Sequence, residues 1–287
     1  IWGADQMKYM TKEWYETMQK TSFHLLLKVS KKAETFSEDY FKKLYKSEEK
    51  AWLQLHEDAS KVKFEDIFPE EFHFVNIDGT PLDSSEYEEA KRKYFEMREQ
   101  ARLNFMNIPA FDPEREKENF KQTFLINVER LKKSLPDKIL QKVADIRVLA
   151  LNRASANVKK EITAYCKANK KAAEKAMKTY WKEYKKNFKD NEPAFAEKFN
   201  FHDCKVISCR KRGNDVVITL DNSGGFTDVK QIIFKNCSIL KQDAPLHGAI
   251  WLYDEVYKSN SGYEIHVLLL KKELIDFIVT TADVKYK

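Results

Sequence analysis

The adjacent residues His202 and Asp203 are the pair whose side chains most directly suggest chemistry. An imidazole beside a carboxylate can bind a metal ion that activates water, and such pairs bridge two metals in some helical phosphohydrolases. There the pair lies within a helix, whereas here a strand-like pattern begins at Cys204. The pattern favours a turn at the entry to a domain, with Asp203 capping the turn, and leaves a metal-dependent hydrolase that uses His202 and Asp203 as one alternative.

Cysteine and histidine could also form a nucleophile and its base, with Cys204 or Cys209 as the thiol and His247 or His266 as the imidazole. No nucleophile elbow such as G-x-S-x-G accompanies them. Cys204 and Cys209 are five positions apart, so in a regular strand they point to opposite faces and lack the Cys-x₂₋₄-Cys spacing typical of zinc sites. The pattern predicts that the four cysteines of the chain are reduced and structural.

Sites for phosphates and for di-iron clusters lack their sequence signatures. The chain has seven glycines and contains neither a G-x-x-x-x-G-K-[ST] loop nor a G-x-G-x-x-G turn. The Glu-x-x-His spacing of di-iron helical bundles occurs once, at Glu70 and His73, where two copies are needed. We therefore expect no cofactor, no metal and no catalytic residues. The motifs favour a protein without enzymatic activity, while leaving such activity open.

A strongly basic segment, residues 153–189, is the feature that best distinguishes this sequence. It carries Arg153 and eleven lysines against three glutamates, a net charge of +9 in a chain whose total is +6. At about 100° per residue, the lysines fall on one half of a helix and apolar residues on the other. The candidate partner-binding residues on the cationic half are Lys160, Lys167, Lys171, Lys178, Lys182 and Lys185. The apolar half is predicted to comprise Val158, Ile162, Tyr165, Ala172, Ala176, Tyr180 and Tyr184.

Three interpretations of the cationic half stay open. The first is a solvated face, because Lys is a usual surface residue whose stem covers apolar neighbours. The second is docking to an acidic protein surface, and the third is attraction to the phosphates of a nucleic acid. Base-specific recognition typically uses arginines, whereas this segment has Lys almost alone. The segment therefore predicts at most non-specific contact with phosphates.

Glycine placement separates a helical region from a strand-rich one, since two glycines precede residue 200 and five follow it. Helix starts are predicted near Thr11, Ser37, Ser85 and Asp112. The first of these helices is expected to carry Leu25 and Val29 on its apolar face. From Asp137 to about Lys189 no Gly or Pro interrupts the chain, which predicts one very long helix or two joined near Asn152.

After Pro193 the hydrophobic period changes from 3.6 to 2, which predicts strands. Short connections of turn residues, such as Arg212-Gly213-Asn214-Asp215, favour antiparallel neighbours. Six strands are predicted: Cys204–Arg210, Val216–Leu220, Val229–Phe234, Ala249–Val256, Tyr263–Leu270 and Phe277–Thr281.

Length and composition predict an α+β protein with two parts. The 287 residues are 43% hydrophobic and 33% charged, which suits roughly two folded domains. We expect a helical domain over residues 7–192, containing the Lys-rich helix, and an antiparallel β domain over 199–287. Residues 1–6, which precede Met7, are expected to be a remnant of vector or upstream sequence. Four cysteines in a chain this long fit a reducing compartment, and no apolar run suits a membrane span, so we expect a cytoplasmic protein with no membrane contact.

Three stretches of the sequence resemble an uncharacterised family from Gram-positive bacteria. They are MKYMTKEWY at residues 7–15, LYDEVY at 252–257 and GYEIHVLL at 262–269. The resemblance runs from residue 7 to about 287 and implies a bacterial cytosolic protein. Because that family is a domain of unknown function, the resemblance implies no mechanism. The β region is also similar, in architecture alone, to immunity-type domains of toxin systems.

These observations predict a non-enzymatic protein that binds another macromolecule, with a protein as the favoured partner and an immunity or anti-defence role as one form of that binding. The first alternative is a nucleic-acid-associated protein that binds phosphates through the Lys-rich helix 153–189. The second is the metal-dependent hydrolase that uses His202 and Asp203. The sequence makes no prediction of the oligomeric state.

Overall fold

A computed structural model describes residues 7–71, 73–76, 78–188 and 199–287. The expected remnant at residues 1–6 lies outside them. The chain divides into two compact units, one formed by residues 26–160 and the other by residues up to Leu25 together with 161–287. The predicted boundary between domains 7–192 and 199–287 falls largely on residues outside the described part, and it stays a prediction.

The described residues form eight α-helices. They are α1 (Lys12–Met18), α2 (Glu38–Ser60), α3 (Phe64–Ile67), α4 (Ser84–Met106), α5 (Pro113–Ser134), α6 (Asp137–Leu140), α7 (Ile146–Ala150) and α8 (Ala156–Asn187).

Helix starts follow from capping chemistry. Thr11, Ser37 and Asp112 are N-caps as predicted, because their side-chain oxygens accept hydrogen bonds from backbone amides of the first turn. The predicted start at Ser85 is wrong by two positions. Asp83 is the N-cap there, since its carboxylate accepts two first-turn amides while Glu86 bonds back to the Asp83 amide.

Two predicted helices are shorter than expected. Helix α1 ends at Met18, and Leu25 and Val29, predicted on its apolar face, are 70% and 56% exposed. The stretch after Asp137 forms two short helices before the chain turns at Asn152, whose φ of 61° is left-handed. The long helix α8 therefore begins only at Ala156, beyond the predicted junction.

The unit of residues 26–160 is built on aromatic packing between α2 and α5. The Tyr45 ring lies 5.1 Å from that of Phe120 and 5.3 Å from that of Phe124, both edge to face. Burial of such rings is a large stabilising term in a small core. Two short strands, β1 (Lys28–Val29) and β2 (Arg153–Ala154), pair in parallel beside this core.

The other unit contains an eight-stranded sheet whose paired strands are antiparallel, in the order β10-β5-β4-β3-β7-β8-β9-β6. Its strands are β3 (Lys205–Arg212), β4 (Asp215–Asp221), β5 (Gln231–Lys235), β6 (Ser238–Gln242), β7 (Ile250–Ser259), β8 (Gly262–Leu270), β9 (Leu274–Thr281) and β10 (Asp283–Tyr286). The α+β prediction is confirmed. All six predicted strands are present, and β6 and β10 are additional.

A β-bulge in β3 overturns the prediction that Cys204 and Cys209 point to opposite faces. The register with β4 shifts by one residue between Val206 and Ser208, so Cys209 pairs with Ile218, a fully buried core residue. The extra residue reverses the alternation along the strand. As a result Cys204 lies in the hydrophobic core and Cys209 packs against the same core.

The N-terminal segment is held to the sheet by a buried carboxylate on β7. Glu255 is fully buried, and its oxygens accept the backbone N–H groups of Lys8, Tyr9 and Met10. The hydroxyl of Tyr257 donates to the same carboxylate at 2.6 Å. Four donors satisfy this buried charge, which is the condition under which a buried carboxylate is tolerated.

Replacing Glu255 with Gln is expected to lower the free energy of unfolding by about 2 kcal/mol, because the amide nitrogen cannot accept the donors that one carboxylate oxygen accepts. Urea denaturation followed by circular dichroism measures the change. Glu273→Gln is the matched control, since Glu273 is exposed and its replacement should stay within ~0.5 kcal/mol. Equal unfolding free energies for the two variants would show that Glu255 does not anchor the segment.

Candidate functional site

The six candidate lysines all lie on α8 and are all exposed. We call this set the lysine ridge; it comprises Lys160, Lys167, Lys171, Lys178, Lys182 and Lys185. Within the described residues, no carboxylate lies within 4 Å of any of the six ammonium groups. The helix therefore presents these charges to solvent.

Helical geometry aligns the ridge. At about 100° per residue the six positions fall within an arc of roughly 60°. Lys167 and Lys185 are eighteen residues apart, which corresponds to about 27 Å along the helix axis. An array of this kind can contact several acidic groups of a partner at once.

Two acidic residues of α8 contact side chains other than those of the ridge. Glu174 lies 3.8 Å from Lys170, which is outside the ridge. Glu183 accepts a hydrogen bond from the Tyr9 hydroxyl, and burial together with this contact raises the pKa of Tyr9 to about 12. Neither carboxylate lies within 4 Å of a ridge ammonium group.

The opposite side of α8 packs inward, with one correction to the prediction. Ala172, predicted on the apolar half, is exposed, because Ala173 occupies the inward position of that turn. The carbonyl of Ala173 accepts the indole N–H of Trp14 at 3.0 Å. The buried residues of the helix are Val158, Ile162, Cys166, Ala173, Tyr180, Tyr184 and Phe188, the last of which directly follows α8.

Sequence reasoning missed Trp181, which flanks the ridge. Its side chain is 43% exposed, and it lies about 40° around the helix from Lys185. The same helical projection that aligned the lysines would have placed it there. Large exposed aromatic residues are frequent anchors at protein interfaces, so Trp181 adds an apolar contact to a surface that is otherwise cationic.

A cavity of about 230 Å³ lies on the other side of Trp181. Aromatic side chains dominate its lining, with Met10, Met177, Asn200 and Asp254 among the other residues. The aromatic residues of the lining are Tyr180, Trp181, Phe199, Phe201, His202 and Tyr253. Sequence analysis did not single out this cavity, because its residues come from four separate stretches of the chain.

Asp254 is the carboxylate of this cavity. It is half-buried and accepts one hydrogen bond, from the indole N–H of Trp251 at 3.1 Å. Burial raises the pKa of Asp254 to about 7, and the nearby Glu255 adds to the rise, while the bond from Trp251 opposes it. The group therefore changes its charge near neutral pH.

His202 and Asp203 are directed at each other. The His202 Nδ1 lies 3.0 Å from the Asp203 carboxylate, and both side chains are about half exposed. Asp203 has a left-handed φ of 67°, which fits the predicted turn before β3. Across the described ranges, no group of three or more His, Cys, Asp or Glu residues is placed to hold a metal ion.

All four cysteines are free thiols in protected surroundings. Cys166, Cys204 and Cys237 are buried, and Cys209 is half-buried. Burial raises the pKa of each thiol, that of Cys237 to about 11. A raised pKa disfavours the thiolate, which is the nucleophilic form.

The thiols of the native protein are expected to react with Ellman's reagent at pH 8 roughly 100-fold more slowly than those of the urea-unfolded chain, because less thiolate is present and access is restricted. Absorbance recorded over time gives the reaction rates of the native and the unfolded thiols. A native thiol that reacts faster than free cysteine would instead identify an activated nucleophile.

Fold and surface together define an α+β protein that carries a polybasic helix beside a small aromatic cavity. The chain belongs to the DUF4085 family, described as a protein of unknown function, whose model matches residues 112–276. The match begins at the N-cap of α5 and ends within β9, so it includes the lysine ridge, Trp181 and Asp254. It includes two of the three stretches that carried the resemblance seen in the sequence, and Met7–Tyr15 lies outside it. No curated protein and no solved structure matches the chain.

None of the helices in the described residues has the length and apolar character needed to cross a bilayer. The longest, α8, carries the lysine ridge along its exposed side.

Proposed function

We propose that the protein is a non-enzymatic binding protein of the bacterial cytosol that recognises an acidic surface of another protein through the lysine ridge. An immunity or anti-defence role is one form that this binding would take. The observation that carries the proposal is the ridge itself: six exposed lysines, without ion pairs in the described part of the chain, on one narrow arc of a long helix.

The composition of the surface supports a protein partner over a nucleic acid. Protein interfaces combine a desolvated aromatic anchor with a charged rim that steers association, and Trp181 beside the ridge fits that arrangement. Recognition of base edges relies on the bidentate guanidinium group, which the ridge lacks. Non-specific attraction to phosphates is the alternative that an experiment must separate.

Catalysis receives no support from the candidate nucleophiles. The thiol groups are protected and their pKa values are raised, so none is activated at neutral pH. His202 is bonded to its neighbour Asp203 rather than to a serine or cysteine side chain. Binding is accordingly the function that we infer for the protein.

The proposal is tested by comparing two polyanions. Binding of the full chain to poly-L-glutamate and to a DNA duplex of equal charge is measured by fluorescence anisotropy between 50 and 200 mM salt. Affinity should fall with salt for both, by roughly a decade or more over this range for a few contacts. We expect poly-L-glutamate to bind at least as tightly as the duplex. Much tighter binding of the duplex at every salt concentration would favour the nucleic-acid alternative and contradict the proposal.

A further inference from the structure

The aromatic cavity lies along an edge of β7. Strands β3 and β7 pair at Lys205 and Ile250, and the N–H of Asp203 donates to the carbonyl of Trp251 at 2.9 Å. Farther along β7, the N–H of Val256 donates to the hydroxyl of Tyr180 on α8, also at 2.9 Å. Between these two contacts the strand edge borders the cavity, and no strand of the described residues pairs with it there.

We propose that this cavity binds an organic cation, an alkylammonium or guanidinium group on an apolar stem, with Asp254 as its counter-ion. The site is separate from the lysine ridge, which attracts the opposite charge. Trp181 borders both.

The Asp254 carboxylate can accept more hydrogen bonds than the one it receives. The bond from the Trp251 indole occupies one of the roughly four lone-pair positions of Asp254. In the described part of the chain, no Lys, Arg or His nitrogen lies within 4 Å of it. A buried carboxylate is normally paired with a cation or well supplied with hydrogen-bond donors. Among the described residues Asp254 therefore has no cationic partner, and a bound organic cation would supply one.

The walls suit a cation as well. Aromatic faces carry a negative quadrupole that attracts ammonium and guanidinium groups, and such cages are a known means of binding them. The Tyr180 and Trp181 rings are 5.2 Å apart, and the His202 ring meets that of Tyr253 edge to face at 5.2 Å. An anionic ligand would be repelled by Asp254, and a neutral one would leave the carboxylate desolvated and unpaired.

The size of the cavity limits the ligand. Its volume of about 230 Å³ is below the ~300 Å³ at which pockets for drug-sized molecules begin. A group the size of a lysine or arginine side chain fits this space. The cation could belong to a free amine or to a side chain of a partner protein, since both present the same chemistry.

The groups around Asp254 set its response to pH. They are Glu255 on the same strand, Tyr180 on α8, Tyr286 on β10, and His202 with Asp203 before β3. Because Asp254 must be ionised to pair with a cation and has its pKa near 7, binding should be about tenfold tighter at pH 8 than at pH 6.

The test uses n-butylammonium chloride as probe, with n-butanol as its neutral counterpart, and follows the intrinsic tryptophan fluorescence and isothermal titration of the full chain. We expect millimolar binding of butylammonium by the native protein, tighter at pH 8 than at pH 6, and no binding of butanol. Asp254→Asn keeps an acceptor for Trp251 and should weaken butylammonium binding at least tenfold. Asp228→Asn, at an exposed position outside the cavity lining, should bind as the native protein does.

Cooperative thermal unfolding of Asp254→Asn verifies that the variant is folded. Equal binding of butanol and butylammonium, or equal affinity of Asp254→Asn and the native protein, would overturn the proposal. A capped Gly-Gly-Lys-Gly-Gly peptide distinguishes the two sources of the cation. If the peptide binds at least as well as butylammonium, the site takes a partner's side chain; if only butylammonium binds, it takes a free amine.

Discussion

Replacing Asp254 with Asn is expected to stabilise the folded protein at pH 8, by an amount on the order of a few kcal/mol, and by much less at pH 5. The pKa of this carboxyl rises from an ordinary 3.8 to about 7 on folding, chiefly because burial disfavours the charged form. The contribution of protonated Asp254 to the free energy of unfolding is therefore fully present below about pH 4, and it is lost as the pH rises to about 7. Asn does not ionise, so the variant does not lose this free energy.

Urea denaturation at several pH values measures this effect. The difference in unfolding free energy between Asp254→Asn and the native protein should grow by an amount on the order of 2 kcal/mol from pH 5 to pH 8. Asp228→Asn is the control, because Asp228 is exposed and its replacement should stay within ~0.5 kcal/mol. A difference that is constant with pH would mean that Asp254 is not desolvated in the folded state.

Reversing four lysines of the ridge to Glu is expected to weaken binding to poly-L-glutamate about 100-fold at 50 mM salt. The four positions are Lys171, Lys178, Lys182 and Lys185. Each reversal removes one attraction and adds one repulsion, together worth roughly 0.7 kcal/mol at an exposed site, and four give nearly 3 kcal/mol. The melting temperature should change little, because all four side chains are exposed.

A matched variant separates the ridge from total charge. It reverses four exposed lysines elsewhere on the same compact unit: Lys205, Lys230, Lys271 and Lys272. Both variants lower the net charge from +6 to −2. Only the ridge variant should lose about 100-fold in affinity. If both lose equally, binding depends on overall charge, and if neither does, the ridge is a solvated face that only aids solubility.

Hydrophobic period and turn chemistry were sufficient to predict the fold class and the six strands between Cys204 and Thr281. Strand β6 was missed because its residues alternate weakly and are mostly exposed at the edge of the sheet. The orientation of Cys209 was wrong because a bulge in β3 leaves no trace in the residue pattern. Local propensity predicts neither which strand lies at the edge of a sheet nor where a bulge occurs, because the pairing between strands determines both.

The two parts of the candidate site differed in how far sequence could predict them. The lysine ridge is a property of one helix, so its alignment follows from spacing alone. The cavity joins Met10, Met177, Phe199 and Asp254, whose proximity depends on how the N-terminal segment and α8 pack against β7. The carboxylate of Glu255 that anchors this packing lies next to Asp254 in sequence, yet it serves a structural role that only its contacts reveal.

Photocrosslinking at the ridge tests the proposed function most directly. A benzophenone amino acid replaces Lys178 in one sample and the exposed Lys272 in another, and crosslinked products from irradiated bacterial cells are identified by mass spectrometry. We predict that one protein partner is crosslinked at position 178 through an acidic segment and that this product is absent at position 272. The crosslink at position 178 should not form when Lys167, Lys171, Lys182 and Lys185 are reversed to Glu. Nucleic acid as the main product at position 178, or the same products at both positions, would contradict the account.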